Sequence, residues 1–328
     1  MPTVSKKSKH RSNPHKTFRL TRRRDAVQPL QLPSYLQLTH EVFQTIWKQW
    51  RTFGLLVLIV SGVYIALVGM QSQSDYADIA SVVKDSGGEL LSGVLGTLGQ
   101  ASILLITVAS ARLSGEMSEL QQVFSVFMLL MTWLVTVWLL RQFIAGKKVK
   151  LRDGLYNSMA PFVSTVLILL LIAVQLVPVS LAIIAYNAAL ATGLLAGGVA
   201  TMLFWLAAAL LCILSVYWLT SSLLALVIVT LPGMYPYSAI KTAGTIVLGR
   251  RIKLLLRWLW LGFINAVALV LVMMPVILLT MWLTSVWSWV AIVPIVPVIL
   301  VLYVASAVVW SAAYVYILYR KVVDNAAA

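Results

Sequence analysis

Carboxylates are scarce in this chain. Its 328 residues include 10 Asp and Glu against 25 Lys and Arg, and only 11% are charged. No charged residue lies between Asp153 and Lys241, and none between Arg257 and Arg320. Cysteine occurs once, as Cys212 in an apolar run, which excludes a disulfide scaffold. The three histidines, His10, His15 and His40, all sit in the N-terminal region. The remaining chain therefore has no Ser–His or Cys–His pair. No two histidines stand at helical spacing with a glutamate, so zinc-dependent hydrolysis lacks its ligands.

What is abundant is apolar: 61% of the residues are hydrophobic. A water-soluble fold cannot hide that much apolar surface, so a bilayer must be the solvent for most of the chain. Each long charge-free stretch has room for two crossings of ~20 residues. Six runs read as membrane helices, at 53–70, 123–140, 162–184, 199–231, 254–283 and 290–319. The fourth, at 33 residues, is too short for two crossings and reads as one long, tilted or broken helix. A weaker run at 90–111 contains Gly93, Gly96, Gly99 and Gln100.

The placement of basic residues decides whether that weaker run crosses. If it does not, 23 of the 25 Lys and Arg fall on one side, with only Lys84 and Arg112 opposite. If it does, the division is 12 against 13. The expected fold is therefore an all-α, polytopic membrane bundle of six transmembrane helices with interfacial amphipathic helices. Residues 90–111 are expected at the interface or as a re-entrant dip, and both termini in the cytoplasm. Asp75, Asp78, Asp85, Glu89, Glu116 and Glu119 then all lie outside. Trp47, Trp50, Trp138, Trp258 and Trp260 within, and Trp282, Trp287 and Trp289 without, form two interfacial belts.

The polar segments read as follows. Residues 1–33 carry nine bases and one acid with few hydrophobics, so a disordered basic cytoplasmic tail is expected. Residues 34–51 read as an amphipathic interfacial helix: Ser34 and Gln37 have capping-box spacing, and Leu36, Val42, Phe43, Ile46, Trp47 and Trp50 share a side. A second such helix is expected over 236–248, ended by Gly249. Ser74 can cap a short outer helix. Residues 321–328 form a short cytoplasmic tail. The first apolar run lies too far from the start for a cleaved signal peptide and reads as a retained signal-anchor. The loop 141–157 has five bases and a turn expected at Asp153-Gly154. Its Gly146-Lys147 pair is not a phosphate-binding loop, since no strand precedes it and Arg141 stands where that motif needs glycine.

Candidate contacts follow from this layout. Lys147, Lys148, Lys150 and Arg152, with Arg250, Arg251 and Lys253, could meet lipid headgroups; they could equally do no more than enforce topology. Gln175 and Asn265 stand near mid-depth, where an unpaired amide is costly. A mutual hydrogen bond is the plain expectation and the lining of a substrate path the alternative. Ala189, Gly193 and Gly197, spaced by four, suggest a close-packing ridge. Pro178, Pro275, Pro294 and Pro297 should kink helices or mark their starts. The Asp75–Glu89 acids lack the spacing of a calcium loop. No Asp or Glu lies within a span, which removes the usual proton relays.

Two segments carry resemblances. The run SAIKTAGTIVLGRR at 238–251, the aromatic-rich span from Trp258, and AAYVYILYRK at 312–321 are similar to the membrane domain attached to some bacterial glycerophosphodiester phosphodiesterases. The catalytic barrel of those enzymes has no counterpart here, so the resemblance implies no hydrolase activity. The stretches TFRLTRRRD at 17–25 and LQLPSY at 30–35 resemble uncharacterised multi-pass membrane proteins of Saccharibacteria-type bacteria. That resemblance implies a bacterial cell membrane.

The expectation is thus a non-enzymatic membrane component or scaffold without cofactor or metal. Its basic inner face would meet anionic lipid, protein partners or a second copy. Nucleic acid is not favoured, because no fold or aromatic platform accompanies the charge. The alternative is a small-molecule or lipid transporter or channel without carboxylate-based coupling. A membrane-impermeant probe should reach a single cysteine placed at position 148 or 251, in a Cys212→Ser background, from the cytoplasmic side only. Labelling from the periplasmic side alone would reverse the topology.

Overall fold

The computed structural model describes residues 33–69, 118–193, 195 and 197–327. Within them the chain is all-helical: α1 (Tyr35–Lys48), α2 (Trp50–Val68), α3 (Glu119–Ile144), α4 (Leu151–Asn157), α5 (Phe162–Ala191), α6 (Val199–Ile228), α7 (Pro236–Val247), α8 (Arg251–Val286) and α9 (Ile295–Ala327). Six of them, α2, α3, α5, α6, α8 and α9, are long and apolar enough to cross a membrane. The tail before Pro33, the weak run 90–111, Ser74 and the acids at 75, 78, 85, 89 and 116 lie outside the described residues.

Local signals set several helix ends. Ser34 caps α1 through the Gln37 amide N–H at 3.2 Å, and the Gln37 side chain accepts from the Ser34 N–H at 3.0 Å. The same reciprocal box, from Ser118 and Gln121, opens α3. Gln121 also donates to the Val68 carbonyl at 2.8 Å, which ties the end of α2 to the start of α3. Pro294 stands just before α9 and Pro297 in its first turn, so the last long helix begins at Ile295. The stretch Ser288–Ile292, where the last span was expected to begin, is a separate 3-10 turn.

The fourth span is one unbroken helix of 30 residues, a single long crossing as expected. Three sequence expectations are corrected. Asp153 and Gly154 do not turn; they lie inside α4, where Asp153 accepts the Lys150 N–H at 3.0 Å. The turn comes earlier, at Gly146, with φ of 75°. Gly193 and Gly197 are no packing ridge. α5 has ended at Ala191, and both glycines take positive φ in the α5–α6 connection, a conformation that glycine adopts without a Cβ penalty. The mutual bond of Gln175 and Asn265 is likewise absent.

Packing centres on α9, which touches α1, α2, α3, α6, α7 and α8. The main core joins Leu139 and Leu140 of α3, Leu224 and Ile228 of α6, and Tyr314 and Leu318 of α9. Half of the most apolar window of α3 is buried, against 6% for α6, whose chief neighbours are α5 and α7. The α5–α6 hairpin therefore offers its surface to hydrocarbon, while α3 and α9 form the interior.

Serine and threonine hydroxyls in the spans turn mostly onto their own helices. Thr132 donates to the Met128 carbonyl and Thr136 to that of Thr132, both at 2.7 Å. Thr280, Thr284, Ser285 and Ser306 bond three or four residues back in the same way. Such bonds satisfy a polar group where no water can reach it.

Among the described glycines, Gly154 lies tightest against a neighbouring helix. A Cβ on Gly154 would stand 3.0 Å from Leu139 Cδ2 and 3.1 Å from its Cγ. This is where α4 lies against α3. Gly154→Leu should separate the two helices and cost about 1–3 kcal/mol. A thermal melt in detergent measures it, and an unchanged midpoint would contradict the close approach.

Candidate functional site

The described basic residues lie in the connections and in helix portions near them: the α1–α2 junction, the end of α3, the α3–α4 link, α4, α7, the first turns of α8 and the last turns of α9. Three contacts draw those segments together. Arg141, at the end of α3, donates through Nη1 to the Thr230 carbonyl just after α6, at 3.0 Å. Lys321 near the end of α9 pairs with Glu41 of α1 at 2.9 Å. Arg257 of α8, only 5% exposed, donates through Nη2 to the Pro33 carbonyl and lies 4.8 Å from the centre of the Tyr35 ring. Trp260 Nε1 adds a bond to the Thr39 hydroxyl at 3.1 Å. Leu139 and Leu140 of α3 share one core with Tyr316 and Leu318 of α9 near this end of the bundle.

α1 is thereby held across this end. Leu38 and Val42 are fully buried against the bundle, while Leu36, Phe43, Trp47 and Trp50 remain exposed. The helix thus has two apolar faces, one for the protein and one left for an interface. The sequence pattern merged them into one side, and Leu38 was missed. Phe43 and Trp47 stack with centroids 5.5 Å apart on the exposed face.

α7 folds back along α6. That brings Arg251 to Tyr217, where Nη1 donates to the carbonyl at 2.6 Å and the guanidinium lies 3.7 Å from the ring centre. Arg251, expected among the headgroup contacts, is thus engaged by the protein. Lys147, Lys148, Lys150 and Arg152 stand along the exposed α3–α4 link and the first turn of α4, with Arg152 over the Tyr156 ring at 5.9 Å. Lys253 is exposed near the start of α8, and Arg250 lies just before it.

A cavity of about 320 Å³ opens between the end of α3, the segment after α4 and the segment after α6. Arg141 is the one charged residue that lines it, among Asn157, Ser158, Ser164 and Tyr235. Leu134 and Trp138 form part of its apolar wall. Ser158 is 1% exposed, and its hydroxyl has no hydrogen-bond partner. Sequence reasoning counted Arg141 only as a charge; its bond to Thr230 and its place with Ser158 in one cavity wall are tertiary features.

Known protein families, curated proteins and solved structures offer no match to this chain. The site must be judged on its own chemistry. Among the described residues no three His, Cys, Asp or Glu side chains come together as a metal site.

The mid-depth amides part company. Asn265 Nδ2 donates to the Leu261 carbonyl at 2.9 Å and to Ser311 Oγ at 3.3 Å, which joins α8 to α9. The Tyr303 hydroxyl donates to the Asn265 carbonyl in the same interface. Oε1 of Gln175 is buried without a partner. Next to it in α5, Pro178 supplies no N–H, and Val179 N–H reaches Ser215 Oγ of α6 at 3.2 Å. Asn265→Leu should lower the detergent melting midpoint by the worth of one such bond, about 0.6–2 kcal/mol. Adding Ser311→Ala should then cost little more, because the pair is already broken. Gln175→Leu should leave the midpoint level or raise it, and a clear fall there would show that its carbonyl has a partner.

Proposed function

We propose that this chain is a non-enzymatic component of a bacterial cytoplasmic membrane, with both termini in the cytoplasm. Its basic end faces inward and engages anionic lipid headgroups. The observation that carries this reading is the convergence of the basic segments at one end of six long apolar helices. Positive residues resist translocation, so that end is the cytoplasmic one. The exposed Phe43 and Trp47 of α1 and Trp50 at the start of α2 then sit at headgroup depth, and the free ammonium groups of the α3–α4 link face the leaflet surface.

A lipid or small-molecule transporter is the second reading, and the unpartnered Gln175 carbonyl favours it. Against it, the hydroxyls of the spans turn inward to their own backbone and leave few groups to line a path.

The full chain, reconstituted with phosphatidylcholine and brominated phosphatidylglycerol, should show tryptophan quenching in excess of the bulk lipid ratio. Replacing Lys147, Lys148, Lys150 and Arg152 by alanine should remove part of that excess, at roughly 1 kcal/mol per base near the surface. Quenching that follows the bulk ratio in the wild-type chain would overturn the reading.

A further inference from the structure

The cavity beside Arg141 differs from the exposed bases around it, because its polar groups are fixed and incompletely used. We propose that it binds a phosphate group, carried by an inner-leaflet phospholipid or by a soluble phosphate ester. The choice of an anion rests on the inner-face reading above, but the residues are different ones.

Arg141 supplies the charge. One of its five N–H donors is spent on the Thr230 carbonyl, a bond that fixes the guanidinium at the cavity wall. The Thr230 hydroxyl turns back to the Val227 carbonyl at 2.6 Å and stays clear of that contact. No carboxylate lines the cavity. Asp153, the nearest acid in sequence, accepts the Lys150 N–H, and Glu41 is bound to Lys321. A positioned guanidinium facing a carboxylate-free cavity suits the bidentate geometry of a phosphate.

Ser158 is the second, independent sign. Its hydroxyl is buried in the wall with no partner inside the protein, and such groups are rare unless a ligand or water completes them. Asn157 spends Nδ2 on the Asp153 carbonyl at 2.9 Å, which leaves its side-chain oxygen for hydroxyl or ammonium groups of a headgroup. Trp138 and Leu134, one and two turns further into the membrane from Arg141, provide an apolar wall below the charge. The cavity thus has the polarity profile of an ester at the boundary of a leaflet.

Native mass spectrometry of the full chain in neutral detergent, titrated with dioctanoyl phosphatidylglycerol, tests this. Wild type should retain one lipid. Arg141→Leu and Ser158→Ala should each weaken retention, the former by roughly tenfold or more, and Arg141→Lys should recover part of it. Ser158→Ala should keep the wild-type melting midpoint, since its hydroxyl has no bond to lose, and so separates binding from folding. Displacement by glycerol 1-phosphate or inorganic phosphate at similar concentration would identify a soluble ester as the ligand; failure of both to compete would identify the lipid. If the Arg141 and Ser158 variants retain lipid like wild type, the cavity proposal is overturned. Should the fourfold alanine variant of the α3–α4 link alone lose lipid, the broader inner-face reading survives that failure. Should it behave like wild type while Ser158→Ala does not, the cavity stands and the broader reading falls.

Discussion

Hydrocarbon offers no hydrogen bonds, and the rest of this architecture follows from that. A peptide group in the membrane interior must bond within its own helix, and a side-chain hydroxyl must do likewise or find another helix. The chain meets the requirement with six long helices whose serines and threonines cap their own preceding carbonyls. Charges cannot be accommodated in this way, so they are placed in the connections and at the ends of the long helices. α8 shows the consequence. At ~1.5 Å per residue its 36 residues measure ~54 Å, well beyond a hydrocarbon core of ~30 Å. The excess lets its basic start reach α1, where Arg257 has a carbonyl and an aromatic face for company.

Because lipid is as apolar as leucine, the bundle gains little from hydrophobic burial between spans, and shape and polar contacts decide which helices pair. α9 is in the interior through small and aromatic residues, Ala312, Ala313 and Tyr314, packed against α3 and α8. Interhelical bonds concentrate at the ends: Gln121 to Val68 at one, Arg141 to Thr230 and Lys321 to Glu41 at the other. Asn265 with Ser311 and Ser215 with Val179 N–H are placed deeper. Each pins a pair of helices that the sequence also places next to each other or at matching ends.

What could be read from the sequence was what depends on length and charge. Charge-free stretches located six helices, and Ser34 with Gln37 located the start of α1, because both signals are local. What could not be read was anything needing a partner. Gly154 looks like a turn residue in a string of letters; only the approach of Leu139 shows that it is a packing residue. Gly193 and Gly197 have the spacing of a helical ridge, but a ridge needs the helix to continue, and it stops at Ala191. Gln175 and Asn265 share a depth, yet α5 packs on α6 and α8 on α9, so the two amides answer to different neighbours. Leu38 was missed for a related reason: an interfacial helix over a protein has two apolar sides, which a single-stripe reading combines.

The same distinction bears on recognition at the basic end. Lysines on an exposed link are strongly hydrated, and they attract any anionic surface without choosing among headgroups. They supply attraction that fades within a Debye length and with salt. Selectivity needs donors whose direction is fixed before the ligand arrives. Arg141 has that direction because the Thr230 carbonyl holds it. If the proposed anion reading holds, the exposed lysines would concentrate anions at the leaflet, and the Arg141 cavity would be the place where one is discriminated from another.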